Sequence, residues 1–139
     1  MGGINVTRWL AGGVVAGVVM WVIEGAASLL YVEEKQKAME SLGVSMEMTA
    51  GTWVMTVLMS LLTGLVLVFF YAAARPRFGP GPKTAIIVAV ALFIGGMLVS
   101  LMGYGMMGFY PTRLLLIWGG IGFVEMILVS LAGACVYRE

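Results

Sequence analysis

Glu24 and Glu125 are the side chains whose type and position ask most for chemistry, because each stands inside a long apolar run. No Lys or Arg accompanies either within its run, and the chain has no His. A lone ionised carboxylate in an apolar medium is costly. It must carry a proton, or find hydroxyls, backbone carbonyls or a cation. Both groups are therefore expected to face a protein interior or a partner rather than lipid. Three uses fit: an interhelical hydrogen bond, a proton or cation relay, or a contact with another subunit or a bound cofactor. Thr56 and Ser60, with Thr63 beside them, supply hydroxyls for a neutral carboxyl, and Ser28 and Ser100 are further candidates. Counting about 1.5 Å per residue inward from Glu33 and from Arg113 puts the two carboxyls at depths of about 13 and 18 Å, one layer if their helices are neighbours.

Other chemistry has little to stand on. With no His, no Asp and one Cys, the sequence offers no catalytic triad, no zinc constellation and no His-ligated haem, so no enzyme activity, metal or cofactor is expected. The 12 Met are scattered; Met55/Met59 and Met102/Met106 are pairs four apart on separate helices, and read as adaptable packing rather than a copper site. Cys135, beside Ala132, Gly133 and Ala134, reads as a small packing residue. The segments Gly95-Gly96, Gly103-Tyr104-Gly105 and Gly119-Gly120-Ile121-Gly122 lack the strand and helix setting of a phosphate loop and read as close-packing or kink positions. A balance of 8 Lys and Arg against 7 Glu leaves no footprint for nucleic acid.

The elements that hold the carboxyls follow from composition. Of 139 residues 61% are hydrophobic and 11% charged, with a mean hydropathy of +1.03. A soluble domain is about 45–50% apolar and about 25% charged, so this is an integral membrane chain. Four runs, at about 9–31, 52–74, 84–110 and 114–137, have the length of a spanning helix and lack the alternation of a barrel strand. The expected fold is all-α, one domain over 1–139: an antiparallel bundle of four transmembrane helices, the first two extended as a hairpin outside the membrane.

Punctuation sets the boundaries. Asn5 or Thr7 can cap the first helix, Arg75-Pro76 ends the second, Pro82 suits the first position of the third, and Pro111 plays that part for the fourth. In the long connection the first helix is expected to run on to a stop at Gly43, with Ser45 capping the next. Gly13, Gly17, Met20, Glu24, Ala27 and Tyr31 share one face of the first helix at spacings of three and four, with Gly13 and Gly17 allowing close helix contact, and Gly122, Glu125, Val129 and Gly133 form a similar stripe. Arg8, Arg75, Arg77, Lys83 and Arg138 fall on one side and Lys35, Lys37 and Arg113 on the other, which favours both termini in the cytoplasm. Trp9, Tyr31, Trp53, Tyr71, Tyr110 and Tyr137 near the span ends suit an aromatic belt.

The loop YAAARPRFGPGPKTA, at residues 71–85, and the closing run LLLIWGGIGFVEMILVSLAGACVYRE carry a resemblance. On these the chain resembles a group of small bacterial four-span membrane proteins without an established activity, and the resemblance implies an inner-membrane location. In layout alone it is also similar to the small multidrug resistance transporters, four short helices with a membrane-embedded Glu in the first. The expected function is that of a non-enzymatic accessory or scaffold subunit packing against itself or a larger membrane complex. The alternative is a small proton-coupled transporter using Glu24 and Glu125. The expected partners are the lipid bilayer and a second copy or larger complex, and no nucleic acid.

Overall fold

A computed structural model describes residues 4–45 and 47–137. Arg138, counted above for orientation, lies outside them. The elements among the described residues are all helices: α1 (Val6–Ser28), α2 (Val32–Ser41), α3 (Ala50–Phe78), α4 (Pro82–Leu92), a π-helical stretch (Phe93–Leu98), α5 (Val99–Met107) and α6 (Thr112–Val136). The π stretch joins α4 to α5, so Pro82–Met107 is one long apolar rod. With α1, α3 and α6 it makes four helices long and apolar enough to cross a membrane, packed as a bundle.

The side-chain distribution is that of a lipid-facing protein. Val14, Leu58, Leu62, Val99, Leu116 and Val124 point outward, while Ala16, Ala85 and Ala89 are fully buried. With no water to drive helices together, close approach of backbones does the packing. α1 packs most extensively on α3 and next on α6, and α4 bridges α6 and α3. At the α1/α3 crossing a Cβ on Gly17 would come within 2.6 Å of the Leu61 Cα, and one on Gly64 would strike the backbone of Gly13 and Gly17. A Cβ on Gly13 would meet Leu65, and one on Gly133 would meet Val68 and Ala16. Two indoles close the crossing: Trp9 Nε1 donates to the Leu65 carbonyl (2.8 Å) and Trp21 Nε1 to Thr56 Oγ1 (3.3 Å). Ser130 ties α6 to α4 by donating to the Ala85 carbonyl (2.9 Å).

Several boundaries match the expectation. The Asn5 side chain caps α1 by accepting from the Arg8 N–H, Pro82 opens α4, and Gly43 has the left-handed φ of +73° that ends a helix. Others differ for identifiable reasons. α3 does not end at Arg75-Pro76 but passes through Pro76 to Phe78. Pro76 forfeits the bond its own missing N–H would make one turn back, yet the helix continues past it, and Gly79 at φ +83° supplies the stop, its N–H bonding the Arg75 carbonyl (2.9 Å). α6 starts at Thr112, so Pro111 precedes the helix instead of opening it. Ser45 does not cap α3. Thr49 does, accepting from the Thr52 N–H (3.3 Å).

The hairpin also takes another form. α1 stops at Ser28, and residues 29–31 tighten into successive three-residue turns, with Leu30 N–H on the Ala27 carbonyl (3.0 Å) and Tyr31 N–H on the Ser28 carbonyl (3.1 Å). The break turns the Tyr31 side chain inward to 3% exposure and leaves Leu29 and Leu30 more than three-quarters exposed. α2 is then held by side chains of the first turns of α6 and of the loop before it: Arg113 reaches Glu34 (3.8 Å), Lys35 lies over Trp118 and the Tyr110 hydroxyl donates to Met39 Sδ (3.3 Å).

Candidate functional site: an intramembrane carboxyl and aromatic cluster

α1 and α6 run antiparallel. Gly12 lies against Gly133 at one end, and the Tyr31 ring meets the Trp118 ring edge-on near the other (centroids 5.7 Å). Glu24 stands seven residues before Tyr31 and Glu125 seven residues after Trp118, so this contact sets both at similar depth. Trp118 is six residues into α6, about 9 Å from its start, so α1 breaks well inside the level at which α6 begins. A polar cleft of about 570 Å³ occupies the resulting notch, bordered by Leu30, Tyr31, Glu33, Glu34, Lys37 and Arg113.

The two carboxyls receive different treatment. Glu125, on the face of α6 that also carries Gly122 and Val129, is buried at 4% exposure. Its Oε1 finds no hydrogen-bond partner among the described residues. Glu24 sits on an exposed part of α1, contrary to the expectation that both would face inward, and the Tyr31 hydroxyl donates to its Oε1. Around them stands an aromatic group: Tyr110 on Trp118 (4.9 Å), Tyr104 on Tyr110 (5.7 Å) and the Lys35 ammonium over Trp118 (5.6 Å). Trp118 Nε1 is buried and, like Glu125 Oε1, unpartnered among the described residues.

The hydroxyls singled out from sequence serve their own helices instead of the carboxyls. Ser60 Oγ donates to the Thr56 carbonyl (3.0 Å), Thr63 Oγ1 to Met59 (2.9 Å) and Thr56 Oγ1 to Trp53 (2.8 Å). Ser28 and Ser100 likewise bond Gly25 and Gly96. In a helix the carbonyl one turn back is always within reach, so a hydroxyl turns elsewhere only when a stronger partner is as close. The donor that reaches Glu24 is Tyr31, which the sequence places on the same helix face two turns further on, although the hydroxyls expected to serve the carboxyls were those of Thr and Ser. Among the packing glycines, Gly13, Gly17 and Gly133 lie at backbone crossings, whereas Gly122 abuts the flexible end of Met97.

Among the described residues no group of three or more acidic, Cys or His side chains is placed to hold a metal. No protein-family model, curated protein or solved structure matches the chain.

Proposed function

We propose that the protein is a non-enzymatic subunit of the bacterial inner membrane, both termini cytoplasmic, which packs against a second copy of itself or against a larger membrane complex. One observation carries this reading. Two sets stand out among the helix glycines: Gly12, Gly13, Gly17, Gly64 and Gly133 are used up in contacts within the chain, whereas Gly25, Gly95, Gly96 and Gly120 are exposed with nothing within 4 Å of a Cβ position. Glycine costs helix stability, and in lipid the compensating gain comes from a second backbone drawn close. The exposed set is what such a contact would use. Glu24, beside Gly25 on an exposed part of α1, would then meet a partner instead of hydrocarbon. Purification from native membranes in mild detergent, followed by mass analysis of the intact particle, tests the reading. A fixed stoichiometry of two or more chains is expected, and repeated recovery of the single chain rejects it.

The hydrogen bond between Glu24 and Tyr31, with the buried Glu125 at similar depth on the adjacent α6, favours a second reading: a small transporter that exchanges a proton for a cationic or hydrophobic substrate. Glu24→Gln would then abolish pH-dependent substrate binding in a protein that still folds. A purely structural carboxyl predicts no such loss, because the neutral amide replaces a protonated acid.

A further inference from the structure

We propose that the groove between α3 and α4 binds one anionic phospholipid, an acyl chain lying along the groove and the phosphate held by Arg77 and Lys83 at its mouth. The groove encloses about 450 Å³ and lies where the two helices leave the short loop that joins them. Ala74 and the buried Val88 form its floor, and the exposed Phe70, Phe78 and Ile87 stand beside it as apolar walls. Phe70 is eight residues before Phe78 and Leu92 ten after Pro82, so the groove runs about 12–15 Å inward from the loop. Half of a hydrocarbon core of about 30 Å is about the same length, so the groove has the depth of one leaflet and takes an acyl chain lying along it.

Charge selects the headgroup. Arg77 lines the groove and is exposed in the last turn of α3. Lys83, exposed in the first turn of α4, stands four residues before Ile87 and eight before Ala91, both of which line the groove, so the helix puts it on the same face. Between Glu47 and Glu125 the chain has no acidic residue, and neither Arg77 nor Lys83 makes an ion pair among the described residues. The opposite end of the bundle is built otherwise: in its cleft Glu33 and Glu34 accompany Lys37 and Arg113, and Arg113 is engaged with Glu34 (3.8 Å). A phosphodiester therefore finds two uncommitted cations at the mouth of the α3/α4 groove, whereas the ammonium of a zwitterionic headgroup finds no carboxylate lining it.

The proposal needs only that the four helices cross a bilayer, so it stands or falls apart from both readings of function. The experiment is native mass spectrometry of the full chain in mild detergent, with phosphatidylglycerol and phosphatidylcholine of the same acyl chains added in equal amounts. One bound phosphatidylglycerol is expected in preference to phosphatidylcholine by about thirtyfold, about fivefold from each cation. Arg77→Gln and Lys83→Gln should each lower that ratio about fivefold and together bring it to about one. Arg8→Gln removes a cation from the same end of the bundle but from α1, which packs on α3 and α6, and should leave the ratio unchanged. Ala73→Leu with Ala91→Leu fills the groove from two exposed positions and should lose the bound lipid with both cations in place. Glycerol phosphate, a headgroup without acyl chains, should not compete. Equal binding of the two lipids by the wild type overturns the proposal, as does a preference that survives the double charge variant, that falls equally in Arg8→Gln, or that glycerol phosphate abolishes. Lipid retained in the filled groove overturns it too, and so does loss there of a second copy of the chain with lipid binding intact, which would make the groove a contact between subunits. Should the filled variant not insert, the two exposed charge variants decide alone.

Discussion

A side chain that donates across a helix pair in lipid meets little competition from water, and Trp9 is such a side chain, its indole on the Leu65 carbonyl at 2.8 Å. Trp9→Phe keeps the ring, and with it the edge contact to Phe69 (6.0 Å), while deleting the donor. Interhelical hydrogen bonds in membranes are worth about 0.6 kcal/mol on average and under about 2 at most. The substitution should therefore lower stability by about 0.5–1.5 kcal/mol, read as a shift in the midpoint of denaturation by a harsh detergent. Trp21 bonds a half-exposed hydroxyl at 3.3 Å, and Trp21→Phe should cost less than Trp9→Phe. At this scale the sequence was partly readable. Glu24 and Glu125 announced themselves because an acid without a base in an apolar run has few explanations. The donor to Glu24 was half legible: spacing puts Tyr31 on the Glu24 face, but a Tyr at a span end is explained equally well by the membrane surface, and the turn at residues 29–31 that buries its ring carries no Gly or Pro to mark it.

At the scale of elements, the α1/α3 crossing is set by backbone meeting backbone. A Cβ on Gly64 would run into the Gly13 carbonyl and the Gly17 amide, neither of which can swing aside. Gly64→Ala should force the helices apart and cost about 1–3 kcal/mol, the range for overpacking a well-fitted site. Gly120→Ala, where nothing lies within 4 Å, should leave the isolated chain as stable as before or slightly more so, since Ala favours helix by about 1 kcal/mol. Comparing detergent unfolding of the two variants checks both. If exposed glycines seat a second subunit, the larger Gly120→Leu should dissociate the assembly while sparing the monomer, which gel filtration with mass detection would read. Long apolar runs revealed the four helices because lipid enforces helix wherever the run is long enough. The interruptions were harder. Proline is a stop signal in the abstract, yet α3 continues past Pro76, and Gly79 ends the helix instead. Leu29-Leu30-Tyr31 contains neither Gly nor Pro and still ends α1, because burying Tyr31 against Trp118 and Glu24 outweighs continuing the helix. Gly95-Gly96 did mark a distortion. The two residues lie within the π-helical stretch Phe93–Leu98, where wide turns are tolerated by residues without side chains.

For the whole molecule, lengths constrain how the bundle lies in a bilayer. The 29 residues of α3 reach about 43 Å, and the 25 of α6 about 37 Å, against a hydrocarbon core of about 30 Å. Both therefore tilt or project past the lipid, and Arg75 and Arg77 in the last turn of α3 mark the projecting end. There the Arg75 guanidinium lies over the Tyr137 ring (5.3 Å), and Tyr137 and Tyr71 accept from the N–H groups of Asn5 and Gly81 at 3.1 Å each. The opposite end carries the acidic side chains of α2 and the cleft above Tyr31. Such an asymmetric molecule should insert one way round, and the excess of basic residues at the Arg75 end predicts that this end faces the cytoplasm. The lone cysteine, exposed Cys135, can be replaced by Ser to give a silent background. Into it Gln36→Cys and Phe78→Cys place single thiols at opposite, exposed ends of the bundle. A membrane-impermeant maleimide added to intact cells should label Gln36→Cys at once and Phe78→Cys only after the membrane is opened. The reverse order would turn the molecule over and place the cleft above Tyr31 on the cytoplasmic side, from which any proton reaching Glu24 by that route would then have to come.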